Sequence, residues 1–451
     1  MKGISDEPQF TVGLLEGGTS LCDVIDNHIY EQTLSGKKAF FVADLGVILR
    51  QHVRWRTHMT QIRPFYTVRC NSNPGVIEVL AALGTGFICN NKAEIELVQS
   101  HGITSEDIIY SGVCKQVSQI KYAAKNGIDL MMCDNEAELR KISRSHPNAK
   151  LLLQVSTEAS SQHNELSMSF GCSLKDCRHL LESAKDLGVQ VVGVRSLIPR
   201  KCKEDKVYTN AITDARCVFD MAKEIGFKMK ILDIGGVFGG SGTQLELIKK
   251  AVMPMLDLYF PPSTGVTIIA EPGSYFVSTA FTLVTNINSK EVVMRDCQDQ
   301  AHADDPSPND EPEFHYYMNE GVYGSFACKL TETDITAPTV HKNISADAPV
   351  YSSSLWGPTG DDLDQVMDHC LLPELNIGDW LLFSHAGTYC LGQPLGTSDS
   401  STPTVVYVVS SRDWYEMQDT GVNQEATLKS LSLVPYFFNA CQTEAALSIP
   451  A

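Results

Sequence analysis

The chain has 451 residues, 43% hydrophobic and 20% charged, with 36 basic against 54 acidic side chains and a net charge of −18. That length suits two domains rather than one small core, and the acidic balance excludes a general affinity for nucleic acid or anionic membrane. No apolar run reaches spanning length, and Met1–Phe10 lacks the apolar core of a secretion signal.

Residues 1–36 are mixed in pattern and contain Gly17-Gly18. Ala39–Ala43 reads as a strand, and Asp44 can cap a helix after it. Short apolar runs then alternate with helical periods. The predicted strands are Phe65–Arg69, Gly86–Cys89, Ile108–Tyr110, Leu130–Cys133, Lys150–Val155, Val191–Val194, Lys230–Ile234 and Thr267–Ala270. The predicted helices are Gly75–Leu83, Ala93–Ser100, Gln116–Asn126, Glu136–Ser145, Leu174–Leu187, Tyr208–Ile225 and Leu245–Leu258. Eight such units over roughly 240 residues match a closed (β/α)8 TIM barrel in the α/β class, with a doubly wound open sheet as the alternative.

After Glu271-Pro272-Gly273 the rhythm changes. Phe276–Ile287 is a long apolar, β-branched run, and further strands are predicted at Phe314–Met318, Val350–Leu355, Trp380–Phe383 and Thr404–Val409. The expected division is an N-terminal segment over 1–44 that partly joins the β-domain, the barrel over 45–278, a C-terminal β-rich domain over 279–424 and a tail over 425–451. Cys297–Pro312 is acidic and proline-bearing and reads as a surface loop. Leu433–Phe438 is too apolar for a solvated tail and is expected to dock. The 14 cysteines are scattered without C-x-x-C or H-E-x-x-H spacing, so no metal is expected. Free thiols in a cytoplasmic or nuclear setting are the expectation, where the sequon at Asn343 would be idle.

Several strings are more specific than any pattern. They include Pro64–Asn71, Leu83–Phe87, Cys114–Ala124, Asp214–Met221, Leu232–Gly236, Gly321–Phe326 and Ser352–Pro358. Over about Ala39–Trp414 the chain resembles the ornithine decarboxylases, fold-type III enzymes that use pyridoxal phosphate. Met1-Lys2-Gly3 and Asp413–Asp419 look most like the antizyme inhibitors, the non-catalytic branch of that family.

The resemblance implies a cofactor site whose positions here are degenerate. The aldimine-forming lysine falls at Arg69, and a guanidinium does not lose the proton that an imine requires. A lining acid falls at Ile88, a ring-stacking histidine at Leu197 and a phosphate-contacting serine at Arg200. The third glycine of the phosphate turn falls at Val237, and the phosphate-neutralising arginine at Ser274. An arginine near the ring falls at Gln154, the proton-donating cysteine at Gly360 and a substrate-facing aspartate at Glu332. Gly235, Gly236, Glu271, Asp361 and Tyr389 match the family and form a residual cofactor site. So many losses around one ligand imply no cofactor and no decarboxylase activity. A working pyridoxal-phosphate decarboxylase with altered substrate is the alternative, and a barrel that takes an anion at Arg195, Arg200, Lys201 and Lys203 is a third reading.

In the family the helix–strand–helix region that starts at Lys115 binds antizyme, the protein that captures decarboxylase subunits. The candidate antizyme-binding residues are Lys115, Lys121, Lys125, Glu138, Arg140 and Lys141. Lys121 and Lys125 are four apart and share one helix side, while Val117, Ile120 and Ala124 are assigned to the buried side. The expected partner is ornithine decarboxylase antizyme. A monomer is expected, because the family's interface lysine falls at Ser169 and its interface tyrosine at Thr331, although Asp364 is kept.

Overall fold

The structure, a computed structural model, describes residues 10–112, 114–156, 170–198, 205–236, 238–239, 242–293, 312–331, 335–342, 345, 347–390, 402–419 and 431–436. Ser169, Arg200, Lys201, Lys203, Val237, Glu332, Asn343, nearly all of 297–312 and the side chains of Leu197 and Thr331 lie outside that description. The chain divides into two units: Met1–Gly46 with Ser278–Glu416 and Ser430–Ala451, and Val47–Val277 with Met417–Lys429.

From Phe10 on, the mixed N-terminal stretch is regular secondary structure. It forms β1 (Phe10–Leu15), α1 (Leu21–Ser35) and β2 (Phe40–Asp44). Ser20 and Asp23 make a reciprocal capping box at the start of α1, the S-x-x-D signal by which the helix is legible. The Asp44 carboxylate accepts from the Gly46 amide at 2.9 Å as α2 (Leu45–His58) begins.

The second unit is a closed barrel. Its strands are β3 (Ile62–Thr67), β4 (Gly86–Cys89), β5 (Ile108–Tyr110), β6 (Leu130–Cys133), β7 (Lys150–Ser156), β8 (Gln190–Leu197), β9 (Ile231–Asp233) and β10 (Thr267–Ala270). All neighbours are parallel, and β10 pairs with β3, which rules out the open sheet. Between the strands run α3 (Pro74–Ala82), α4 (Lys92–Ser100), α5 (Val117–Lys125), α6 (Glu136–Ser145), α7 (Cys177–Asp186), α8 (Asp205–Ile225) and α9 (Gly242–Tyr259). Asn73, Asn91 and Asn135 each cap the helix they precede, accepting a first-turn amide at 2.9–3.0 Å. These caps end three strand-to-helix turns by the same device. Phe65, Ile88, Ile109, Met132, Leu152 and Ile269 pack together as an apolar cluster. Ile88, where the family has an acid, is therefore core and 1% exposed.

Two strand assignments need correction. The run predicted as Phe65–Arg69 pairs only to Thr67, and Val68–Cys70 is a 3-10 turn. The Asn71 amide bonds back to the Val68 carbonyl at 3.2 Å, and the Tyr66 hydroxyl donates to the Asn71 carbonyl at 2.8 Å. The run Phe276–Ile287 is split between α10 (Gly273–Val277), a 3-10 turn and β11 (Phe281–Val293). An unbroken apolar run does not distinguish a buried helical turn from a strand.

The first unit continues with β12 (Glu313–Met318), β13 (Thr339–Val340), β14 (Val350–Trp356), β15 (Gln365–Pro373), β16 (Trp380–Phe383), β17 (Thr404–Ser410), α11 (Ser411–Asp419) and β18 (Leu431–Pro435). Its ten-stranded sheet, counted among the described residues, runs β15-β14-β12-β11-β2-β17-β1-β18, with β16 on β11 and β13 on β16. Helix α1 covers this sheet, burying Val24, Ile25 and Ile29 against Phe40, Val42 and Trp380.

Asp364 is turned inward and 1% exposed. Its carboxylate accepts from the Val322 amide at 2.7 Å and from the Thr359 hydroxyl and amide at 2.7 and 3.2 Å. It ties two loops of its own unit together, so its presence needs no ion pair with another subunit. Asp364→Ala strands these donors and is expected to lower unfolding free energy by about 2–4 kcal/mol in urea denaturation, with Asp364→Asn costing less because it keeps an acceptor.

Candidate functional site: a paired barrel centre and a basic helix face

Strand register builds the barrel centre. Gln154 on β7 lies opposite Arg195 on β8, and Arg195 lies opposite Asp233 at the end of β9. Glu271 follows β10, two residues after Ile269, which pairs with Asp233. The Arg195 guanidinium donates to both oxygens of Glu271, at 2.6 and 2.8 Å, and to the Gln154 side-chain oxygen at 2.9 Å. Arg195 is 13% exposed at its side chain and Glu271 6%. Burial opposes both charges, but the fork-to-fork pairing more than offsets it, raising the pKa of Arg195 and lowering that of Glu271. Burial, then the negative charge of Glu271, pushes the Asp233 carboxyl well above its ordinary range. The Arg195–Glu271 pair thus sits beside an Asp233 carboxyl whose surroundings favour its neutral form, and Asp233 accepts the Gly235 amide at 2.8 Å.

The other matching positions also have internal partners. Gly235 has φ 77°, and a Cβ there would sit 2.5 Å from the Ser196 carbonyl oxygen. A Cβ on Gly236 would lie 2.2 Å from the Glu271 carbonyl oxygen. Both glycines are required by the barrel's own backbone, with or without a phosphate. Asp361 caps a 3-10 turn through the Leu363 amide at 3.0 Å and accepts the Tyr323 hydroxyl at 2.8 Å. Tyr389 sits at φ 59°, partly buried, and Gly360 leads into the turn that Asp361 caps. Arg69 is exposed on the 3-10 turn after β3, and Ser274 is partly buried in α10.

The six candidate antizyme-binding residues separate. Lys121 and Lys125 are exposed on α5, and neither has an ion-pair partner among the described residues. Arg140 is exposed on α6 and pairs with Glu136 at 2.6 Å. Lys115 is a correction: it is 3% exposed and donates to the Met132 carbonyl at 2.5 Å, with its ammonium 5.6 Å from the Tyr110 ring centroid. Burial lowers its pKa against the pull of Cys133, Glu138 and Asp134. Glu138 is also buried, 6% exposed, and pairs with Lys141 on the same helix. Val117 is a third correction. The buried side of α5 is Ile120 and Ala123, both 0% exposed, while Val117 is 44% exposed. At 3.6 residues per turn the buried direction, between Ile120 and Ala123, lies about 90° round from Val117, which therefore shares a flank with Lys121, and Ala124 is only half-buried. The assembled surface is an exposed valine with two free lysines one and two turns on.

Asp233 carries a pH test. Its folded pKa lies above its unfolded value of about 4, so folding takes up a proton in the window above that value, and stability falls as pH rises through it. Glu271 works in the other direction and only at lower pH, because its folded pKa is depressed. Asp233→Asn keeps an acceptor for the Gly235 amide but carries no proton to lose. Above about pH 4, and until Asp233 ionises in the folded protein, wild-type unfolding free energy should fall with rising pH by up to about 1.4 kcal/mol per unit more than that of the variant.

Residues 45–278 match the family model described as "Pyridoxal-dependent decarboxylase, pyridoxal binding domain". The chain is 54% identical to antizyme inhibitor 1 of Pongo abelii over 435 residues, 96% of this chain and 97% of the relative. It is 45% identical to ornithine decarboxylase of Mus musculus over 414 residues, 91% of this chain and 89% of that one. Among solved structures it is similar to the Paramecium bursaria Chlorella virus arginine decarboxylase bound to agmatine, with a TM-score of 0.75 and 27% identity, covering 86% of this chain and all of that one. The barrel, the β-rich unit and these similarities together place the chain in the pyridoxal-dependent decarboxylase family, in the branch that holds the ornithine decarboxylases and the antizyme inhibitors.

Proposed function

We propose that this protein is a non-catalytic regulator of polyamine metabolism that binds ornithine decarboxylase antizyme and so spares or releases the decarboxylase. The observation that carries this reading is the contrast between the two sites. The barrel centre is paired with itself, while α5 presents unpaired positive charge and an exposed apolar side chain on a chain of net charge −18. The name of its antizyme inhibitor relatives supports the same partner.

The residues present do not fit pyridoxal phosphate. A carboxylate serves the pyridine nitrogen only if it can face the ring, and both Glu271 oxygens are held by Arg195. Position 69 offers no amine, and the lining acid has become core isoleucine. The protein mixed with pyridoxal phosphate should show no internal-aldimine band, and borohydride should fix no pyridoxyl group on it. A band that borohydride abolishes would favour the altered-substrate decarboxylase. Arg69→Lys alone should restore neither band nor ornithine decarboxylation, because Arg195 still holds Glu271. The inward Asp364 supports a monomer, to be checked by sedimentation equilibrium.

On α5, Lys121 and Lys125 would steer an acidic partner surface and form charge-assisted contacts at close range, with Val117 as the apolar contact between them and the partner. Lys121→Glu with Lys125→Glu leaves helix propensity nearly unchanged. Antizyme affinity should fall at least tenfold, about 1.4 kcal/mol or more, with unaltered circular dichroism. Added salt should weaken the wild-type complex and narrow the difference. Lys228→Glu, at an exposed lysine before β9, is the control and should bind as wild type does. A folded double variant with wild-type affinity would remove this surface from consideration.

A further inference from the structure

The strand β18 lies at the end of the ten-stranded sheet, paired in parallel with β1. The register runs Phe10 opposite Leu431, Val12 opposite Leu433, and Leu14 opposite Pro435. The next residue, Tyr436, continues the pairing through its amide, which donates to the Leu14 carbonyl at 3.0 Å. Its ring packs against the apolar cluster beneath α1 that contains Leu15, Val24 and Phe40. Its hydroxyl accepts a hydrogen bond from the Asn27 side-chain amide at 3.1 Å. The ring fits because residue 13 is glycine: a Cβ there would stand 2.8 Å from Tyr436 Cδ2.

These contacts make a socket rather than a chance edge pairing. A backbone ladder, a notch without a side chain, an apolar floor and one polar group aimed at the phenol are four separate features that select one occupant. Without β18, Phe10–Leu15 would be a sheet edge with neither proline nor charge, the kind of edge that pairs with other chains. With it, the edge strand ends in Pro435, which has no amide to offer a further strand.

We infer that the edge of β1, with the Gly13 notch and the Asn27 amide, is a strand-binding site for an extended apolar peptide ending in Pro-Tyr, which the chain fills in cis with Leu431–Tyr436. The site belongs to the first unit and is independent of the antizyme surface on α5. The rival occupant is the same segment of a second copy, supplied in trans.

The test uses the full chain, a chain ending at Ser430, and a peptide of residues 430–436 labelled with fluorescein at its N-terminus. The peptide should bind the shortened chain saturably, and bind the full chain at least tenfold more weakly because the socket is filled. A peptide carrying Tyr436→Ala should bind the shortened chain at least tenfold more weakly than the native peptide. Full chains carrying Tyr436→Ala or Gly13→Ala guard against a shortened chain that does not fold. In both, the β1 amides facing β18 should exchange hydrogen at least tenfold faster than in wild type. A wild-type full chain that sediments as a concentration-dependent dimer, and loses it with Tyr436→Ala, would overturn occupancy in cis in favour of the second copy. A peptide that binds full and shortened chains alike, or neither, overturns the site, as does β1 exchange that neither substitution changes.

Discussion

The ion pair between Arg195 and Glu271 is the constraint around which the barrel is arranged. Two charges taken out of water cost several kcal/mol each, and attraction repays that only with good geometry and no stranded partner. Here the geometry is bidentate and Gln154 takes a remaining guanidinium donor, while burial and the charge of Glu271 favour the neutral form of Asp233. The guanidinium on β8 thus ties β7 and the end of β10 together, with Asp233 at the end of β9 beside them. A cofactor ring nitrogen would have to compete with a contact that already satisfies both oxygens of the acid.

The rest of the barrel is consistent with a centre that closes on itself. Ile88 joins the apolar cluster where a carboxylate would have needed a partner of its own. The carbonyls of Ser196 and Glu271 leave no room for a Cβ at Gly235 and Gly236, so these glycines are explained by packing alone. In the other unit, Asp361 and Asp364 are engaged by neighbouring loops. Resemblance at these positions therefore reports a common fold, and each residue's present partner is read from the structure.

The two faces of α5 show how a surface is left available when a centre is not. Ile120 and Ala123 hold the helix on the barrel, and Lys121 and Lys125 are exposed with no ion-pair partner among the described residues. Elsewhere on the barrel cations such as Lys92, Arg140 and Arg178 are paired with Glu96, Glu136 and Glu224. Unpaired charge on an acidic chain keeps its full long-range field for a partner. No helix among the described residues is long and apolar enough to cross a membrane, and no metal-binding cluster occurs among them.

The alternation of short apolar runs with helical periods was enough to determine the eight barrel strands, because a parallel sheet covered on both faces demands that rhythm. Composition argued against a general affinity for nucleic acid, and the chemistry of one residue, Arg69, argued against an aldimine. Three things waited for the tertiary structure. Lys115, Glu138 and Val117 exchanged their expected sides, because helical spacing orders residues around a helix but does not say where the helix begins or how it is rotated. Phe10–Leu15 and Leu431–Pro435 became the paired strands β1 and β18, because the partners are more than 400 residues apart in sequence and no local pattern encodes that pairing, while Phe437 and Phe438 of the apolar tail lie outside the described residues. The pairing of Arg195 with Glu271 was invisible as well, since two residues 76 apart meet only through barrel register, which fixes their height and face together.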